Sequence, residues 1–189
     1  MTPAILGLSH AHGRLESQGP AVVFGILNVT PDSFFDGGRW LDPEAAADRA
    51  RAMAAEGADV IDVGAESTRP GSDPVPPEIQ LERLLPVLEQ LKNDGLILSI
   101  DTTSAAVARS CLASGAAVIN DTSALADDPD MSGVVAGSGA AVVLMHRTEM
   151  PKTMQDAPPA GDIVGRVTAD LAGRLASALA AGIDADRIV

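Results

Sequence analysis

The feature that most constrains the fold is a repeated pattern of a short apolar segment, a few polar residues and a helical segment. We call the polar residues that follow each apolar segment the exit of that strand. Strands are predicted at residues 21–27, 59–64, 96–100, 116–119 and 140–145. Each is nearly continuous in Val, Ile, Leu and Ala, which is typical of parallel strands buried on both faces. No Gly-rich dinucleotide loop follows the first strand, so the pattern favours a (β/α) barrel over a doubly wound sheet.

The number of these units limits how much of a barrel is present. A complete TIM (β/α)8 barrel has eight strands. This chain has five strand-helix units, and residues 187–189 read as the opening of a sixth strand. We therefore predict an α/β fold, an incomplete TIM (β/α)8 barrel over 21–189. Residues 1–20, which carry His10 and His12, are predicted as an exposed cap segment.

The helices are predicted from capping residues and leucine spacing. Asp42 followed by Pro43 is a typical helix start. In the second helix, leucines recur at helical spacing, and Pro86 should either kink the helix or lie near its first turns. The predicted helices are 43–56, 77–92, 104–115, 128–137 and 163–182.

Composition argues against several classes of protein. The formal charge of −13, with a sequence pI of about 4.4, disfavours binding to nucleic acid or to an anionic membrane. No apolar run approaches the roughly 18 to 20 residues of a membrane span. A secretory signal begins with basic residues, and here no basic residue precedes Arg14. The lone Cys111 is predicted to be buried. We expect a cytoplasmic enzyme.

Polar side chains follow every predicted strand. In (β/α) barrels the catalytic groups lie at the carboxyl ends of the strands. Five polar exits in succession therefore predict one shared site at that end of the barrel. The exits are Asn28, 66–69, Asp101, 120–121 and 146–147.

These exits carry motifs that resemble those of dihydropteroate synthase. The matching segments, in order, are Asn28-Val29-Thr30-Pro31-Asp32-Ser33-Phe34, Glu66-Ser67-Thr68-Arg69-Pro70-Gly71, Ser99-Ile100-Asp101-Thr102, Ile119-Asn120-Asp121 and Leu144-Met145-His146. The resemblance extends from about residue 21 to 189. It implies a folate-pathway transferase on a TIM barrel that joins 6-hydroxymethyl-7,8-dihydropterin diphosphate to 4-aminobenzoate.

The resemblance also implies roles for individual residues. Asp101 and Arg69 are expected to be catalytic, and Asn28 is expected to bind Mg²⁺, which favours oxygen ligands. The implied substrate-binding residues are Phe34, Ser67, Thr68, Pro70, Asp101, Asn120 and Met145. Further basic residues expected on the rim are Arg39, Arg147 and Lys152. For His146 the prediction is a structural or supporting role.

The chain departs from the family pattern at several places. The family usually has Ser-Gly-Gly after the Asn-Asp pair, where this chain has Thr122-Ser123-Ala124-Leu125, and the glycine expected before Pro151 is absent from 147–150. Family motifs that follow the sixth strand are missing, so we expect these 189 residues to be inactive alone and a full-length protein to be a homodimer. Two alternatives stay open: a pterin-dependent methyltransferase, and a diverged pterin-binding barrel without synthase activity.

Overall fold

The computed structural model describes residues 7–16, 21–30, 42–66, 73–147 and 161–189. Its strands are β1 Gly7–His10, β2 Gly13–Glu16, β3 Phe24–Asn28, β4 Val60–Gly64, β5 Leu98–Asp101, β6 Val118–Asp121 and β7 Ala141–Leu144. Its helices are α1 Pro43–Ala55, α2 Pro77–Leu91, α3 Ala105–Ala113, α4 Met131–Ser138 and α5 Ile163–Ala180, with a 3₁₀ turn at Ala185–Arg187. None of these helices is both long and apolar enough to cross a membrane.

Strands β3 to β7 form one parallel sheet in chain order. A parallel bridge joins Val142 to Ile188, and Val189 donates its backbone N–H to the Val142 carbonyl at 2.9 Å. The prediction of an incomplete TIM barrel, with five units and the start of a sixth strand, is confirmed. Arg187 itself ends the 3₁₀ turn, so the sixth strand begins after it and not at it.

Successive side chains along each strand point to opposite faces of the sheet. One register row packs under the helices and is buried: Leu27, Val63, Ile100, Ile119 and Val142. Leu84 and Leu88 of α2 and Ala47 and Ala50 of α1 are fully buried in the same cluster. The small alanine side chains let α1 approach the sheet closely, which suits a chain with only 2% aromatic residues.

Local sequence signals fix most helix ends. The Asp42 carboxylate accepts a hydrogen bond from the Glu44 backbone N–H at 3.0 Å, as the predicted cap requires. Pro86 lies inside α2 and not in its first turns, where it removes one backbone donor while the helix continues to Leu91. Cys111 is buried in α3, as predicted, and burial raises the pKa of its thiol to about 12.

Strands β1 and β2 form an antiparallel hairpin within the segment that the sequence predicted as an exposed cap. That expectation was wrong for Leu8 and Leu15, which are buried against Val60, Val118 and neighbouring residues of the sheet. The hairpin therefore covers the amino-terminal end of the sheet. Its strands are only four residues long, too short for a clear alternation of apolar and polar residues.

We predict that Leu15→Ala lowers the free energy of unfolding by about 2 to 3 kcal/mol, because it leaves a cavity under the sheet. Glu16→Ala, at the exposed neighbouring position, should change it by less than about 0.5 kcal/mol. Chemical denaturation measures both values. Equal effects of the two substitutions would show that the hairpin does not pack on the sheet.

Candidate active site

Three of the predicted site residues lie in one row across the sheet. In the parallel register, Asn28 pairs with Gly64, Gly64 with Asp101, and Asp101 with Asn120. Paired residues of neighbouring parallel strands direct their side chains to the same face. Asn28, Asp101 and Asn120 therefore share the face opposite the helices, at the carboxyl ends of their strands. We call these three residues and Gly64 the site row.

Gly64 leaves space within the site row. A Cβ atom at this position would lie 3.3 Å from Oδ1 of Asn28 and 3.5 Å from Cβ of Asp101. Any longer side chain would fill the gap between the Asn28 amide and the Asp101 carboxyl group. The glycine thus keeps both groups accessible to a ligand.

Asp101 has the most perturbed carboxyl group of the site. Burial, followed in order of effect by the nearby carboxylates of Asp62, Glu66 and Asp121, raises its pKa to about 7. Near neutral pH this side chain is therefore present in both protonation states. Perturbed carboxyl groups of this kind are concentrated at functional sites.

Asp62 is a site residue that the sequence analysis did not identify. It lies in β4, two residues before Gly64, and is 6% exposed. Its Oδ2 accepts a hydrogen bond from Nδ2 of Asn120 at 2.9 Å. An acidic residue between Ile61 and Val63, in an otherwise apolar strand, was the signal that could have revealed it.

A buried glutamine connects two of the strand exits. Nε2 of Gln80, on α2, donates to Oε2 of Glu66 at 2.9 Å, and Oε1 of Gln80 accepts from Oγ1 of Thr102 at 3.1 Å. Glu66 follows β4 and Thr102 follows β5, so α2 holds both exits in position. Burial is the main cause of a raised pKa at Glu66. The sequence analysis did not identify Gln80 either, because its partners are distant along the chain.

The loop after β6 has an unusual backbone. Ala124 and Leu125 have φ values of 53° and 64°, in the left-handed region that favours glycine. They belong to the segment 122–125, which stands where dihydropteroate synthases usually have Ser-Gly-Gly after the Asn-Asp pair. The Asp121 carboxylate accepts from the Ser123 N–H and hydroxyl, both at 2.7 Å, and from the Leu125 N–H at 3.1 Å. These contacts hold the loop in a shape that glycine would adopt more readily.

The exit of β7 contributes Met145, His146 and Arg147. Met145 is 40% exposed and so is accessible to a ligand at the carboxyl ends of the strands. Nδ1 of His146 lies 2.8 Å from Oδ2 of Asp170, a contact that joins the exit of β7 to α5 and agrees with a structural role. Arg147 pairs with Asp127 at 2.5 Å, and its charge lowers the pKa of Glu66 against the effect of burial.

Several predicted site residues lie outside the residues that the structure describes. They are Phe34, Arg39, Ser67, Thr68, Arg69, Pro70 and Lys152, together with the segment 148–150. Their roles stay predictions.

A separate groove of about 840 Å³ lies between α3, α4 and the β1–β2 turn. Its titratable lining residues are His12, Arg109 and Asp130. It shares no residue with the site row, and so it is not the site that the strand exits form.

The fold and the site row together define the class of protein. The family model described as "Pterin binding enzyme" matches residues 24–189, and the chain belongs to that family. The dihydropteroate synthase of Mycobacterium leprae is 47% identical over 174 residues, which are 92% of this chain and 61% of that protein. The type-2 dihydropteroate synthase of Escherichia coli is 40% identical over 168 residues, 89% of this chain and 62% of that protein.

Solved structures give the same result. The Yersinia pestis dihydropteroate synthase, in a sulfonamide drug complex, superimposes with a TM-score of 0.89 at 37% identity, covering 96% of this chain and 66% of that one. The Burkholderia cenocepacia enzyme complexed with 7,8-dihydropteroate gives 0.83 at 38% identity, covering 96% and 61%. The resemblance to dihydropteroate synthase is confirmed, and the chain spans slightly over three-fifths of the M. leprae and E. coli synthases.

We predict that Ser123→Ala lowers the free energy of unfolding by about 2 kcal/mol. The Ser123 hydroxyl donates to Asp121 and accepts from the backbone N–H groups of Ala126 and Asp127, and their loss removes support from the strained loop. Ser114→Ala, which removes an exposed hydroxyl bonded to one carbonyl, should cost less than about 0.5 kcal/mol. Equal costs in chemical denaturation would contradict the support that we assign to Ser123.

We also predict a pH dependence of stability. Because the pKa of Asp101 is raised from 3.8 to about 7 in the folded chain, its stabilising contribution is fully present below pH 3.8 and is lost as pH rises through 7. Asp101→Asn should reduce the loss of stability between pH 5 and pH 8 by about 2 kcal/mol, a value below the full linkage because the site is open to solvent.

Denaturation at several pH values measures this effect. Asp94→Asn, which alters a surface carboxylate paired with Arg51, should keep the wild-type pH profile. A profile of Asp101→Asn that coincides with the wild-type profile would show that Asp101 does not titrate in this range.

Proposed function

We propose that the protein of which this chain is part is a dihydropteroate synthase. It would condense 6-hydroxymethyl-7,8-dihydropterin diphosphate with 4-aminobenzoate to give 7,8-dihydropteroate and diphosphate in folate biosynthesis. The observation that carries the proposal is the site row, in which an amide, a carboxyl group and a second amide face one mouth. The relatives and solved structures named above support it, since all are dihydropteroate synthases.

The pterin would bind by its polar edge. This flat heterocycle presents ring nitrogens and an exocyclic amine, which need donors and acceptors at fixed positions. Nδ2 of Asn120 donates one of its two N–H groups to Asp62, so Oδ1 faces away from Asp62 and can accept from a ligand donor. Asp101 offers a carboxyl group beside it, whose pKa near 7 would fall when it accepts hydrogen bonds from the ligand.

The reaction is a substitution at the pterin methylene carbon. Its C–O bond to diphosphate breaks, and the electron pair leaves with the diphosphate. The amine nitrogen of 4-aminobenzoate forms the new C–N bond and loses a proton. As the C–O bond lengthens, positive charge develops on the pterin, and an ionised Asp101 would stabilise this charge more than it stabilises the neutral ring.

The other substrate groups would be held by residues outside the described part. Arg69 would bind the leaving diphosphate, and Ser67 and Thr68 would contact the substrates. Phe34 and Pro70 would form the apolar walls of the aminobenzoate pocket. Met145, which is exposed beside the site row, would contact the pterin ring.

Mg²⁺ is proposed as the cofactor, held by Asn28. The donor chemistry fits, because an amide oxygen is a suitable ligand for Mg²⁺ and Gly64 leaves space beside it. Among the described residues, no group of three or more His, Cys, Asp or Glu could hold a metal ion. Asn28 would thus share the ion with water and substrate phosphate, and the bound ion would neutralise charge on the diphosphate.

The alternatives from the sequence are less well supported. A pterin-dependent methyltransferase would not require diphosphate, and the relatives named above are synthases. A diverged, non-catalytic barrel was suggested by the altered loop after β6. That loop has two residues other than glycine at positive φ, so the lack of glycine does not exclude this backbone conformation. We keep a homodimer and a cytoplasmic location as predictions for the full-length protein.

The test is an assay of dihydropteroate formation with Mg²⁺ and both substrates. It compares the 189-residue chain with a chimera in which residues 1–189 are joined to the part of the M. leprae synthase that follows its matched region. We expect turnover by the chimera and none by the chain alone, since the chain covers only 61% of that relative.

Variants of the chimera test whether Asp101 contributes to the reaction. Asp101→Ala should lower kcat/KM by at least about 100-fold, as removal of an electrostatic group does at other sites. Asp94→Asn, on the surface, should leave kcat/KM unchanged. A folded chimera without turnover would contradict the synthase proposal, and turnover by the chain alone would contradict its expected inactivity.

A further inference from the structure

Asp62 occupies a position where stability alone would favour an apolar residue. It is paired in register with Ser99, and Val118 and Ala141 continue the same row. Asp62 and Ser99 are 6% and 0% exposed, and among the described residues neither Oδ1 of Asp62 nor Oγ of Ser99 has a hydrogen-bond partner. A buried polar atom without a partner costs free energy, so the carboxylate needs a reason other than stability.

The single hydrogen bond that Asp62 makes has a directional consequence. Its Oδ2 lies 2.9 Å from Nδ2 of Asn120, a residue 58 positions away on a strand that does not pair with β4. A carboxylate accepts hydrogen bonds and does not donate them, whereas an amide has a donor end and an acceptor end. The contact is favourable only when Asn120 turns Nδ2 towards Asp62 and Oδ1 away from it.

We propose that Asp62 is a positioning residue that fixes the direction of the Asn120 amide, so that the site presents a hydrogen-bond acceptor to the ligand at this point. The ligand in this statement is the pterin of the proposed function, and the proposal rests on that function for its effect on affinity. The orientation of the amide itself depends only on the contact between the two side chains. A ligand that offers an acceptor at this point would face Oδ1 and be rejected.

Two variants, made in the chimera described above, separate positioning from a structural role. Asp62→Leu removes the acceptor and also the unpartnered buried oxygen, so its melting temperature should equal or exceed that of the wild type. Its affinity for pteroic acid should fall by at least about tenfold, because nothing then fixes the amide. Asp62→Asn, which allows either direction of the amide pair, should give a smaller loss of affinity.

The matched control is Asp59→Asn. Asp59 immediately precedes β4, and its carboxylate accepts from the Val23 backbone N–H at 2.8 Å, at the end of the strand remote from the site row. This change should lower the melting temperature and leave the affinity for pteroic acid unchanged. Calorimetric titration with pteroic acid and thermal unfolding of the same samples provide both values.

A second measurement tests the amide directly. The side-chain NH2 resonances of Asn120, identified by their absence in Asn120→Asp, should be protected from solvent exchange in the wild type and lose protection at least about tenfold in Asp62→Leu. Unprotected resonances in the wild type, or equal protection in Asp62→Leu, would overturn the inference. So would wild-type affinity in both Asp62 variants.

Different results would contradict the proposed function and the positioning role of Asp62. If the chimera with the wild-type sequence binds no pteroic acid, the result counts against the proposed function, and the protection of the Asn120 amide still decides the role of Asp62. If Asp62→Leu does not fold, Asp62→Asn decides it through the same two measurements. If pteroic acid binds equally well to the wild type and to the folded Asp62 variants, the function stands and the positioning role is wrong.

Discussion

The register of the parallel sheet is the constraint on which the site depends. Backbone hydrogen bonds align Asn28, Gly64, Asp101 and Asn120 across four neighbouring strands. A shift of one residue in any strand would turn its side chain from the site to the helices. The buried row of Leu27, Val63, Ile100, Ile119 and Val142 prevents that shift, because it would place apolar side chains in the mouth and polar ones in the core. Packing against the helices thereby positions the polar groups.

The same arrangement concentrates negative charge. Burial, together with the nearby carboxylates of Asp62, Glu66 and Asp121, raises the pKa of Asp101 to about 7. Such a cluster is unfavourable without a ligand and favours one that carries N–H donors or a developing positive charge. The hydrogen bonds to Asp121 and Glu66 come from Ser123 and Gln80, so the surrounding loops and α2 stabilise acids that burial disfavours. Stability and ligand preference thus arise from the same groups.

Sequence reasoning predicted what is encoded locally. The apolar segments and caps such as Asp42 predicted the five strand-helix units. The polar residues after the strands predicted three of the four members of the site row. Sequence reasoning missed the β1–β2 hairpin, whose strands are too short for a pattern, and it left open whether Pro86 lies inside α2 or in its first turns. It also missed Asp62 and Gln80. Their contacts join residues 58 and 22 positions apart, and no local pattern encodes such pairs.

A crystal structure with bound pteroic acid tests the central claim most directly. The account predicts the pterin edge within hydrogen-bonding distance of the Asp101 carboxyl group and of Oδ1 of Asn120, with Nδ2 of Asn120 still bonded to Asp62. Pteroic acid bound in the groove between α3 and α4, or at any place from which it contacts neither Asp101 nor Asn120, would contradict it.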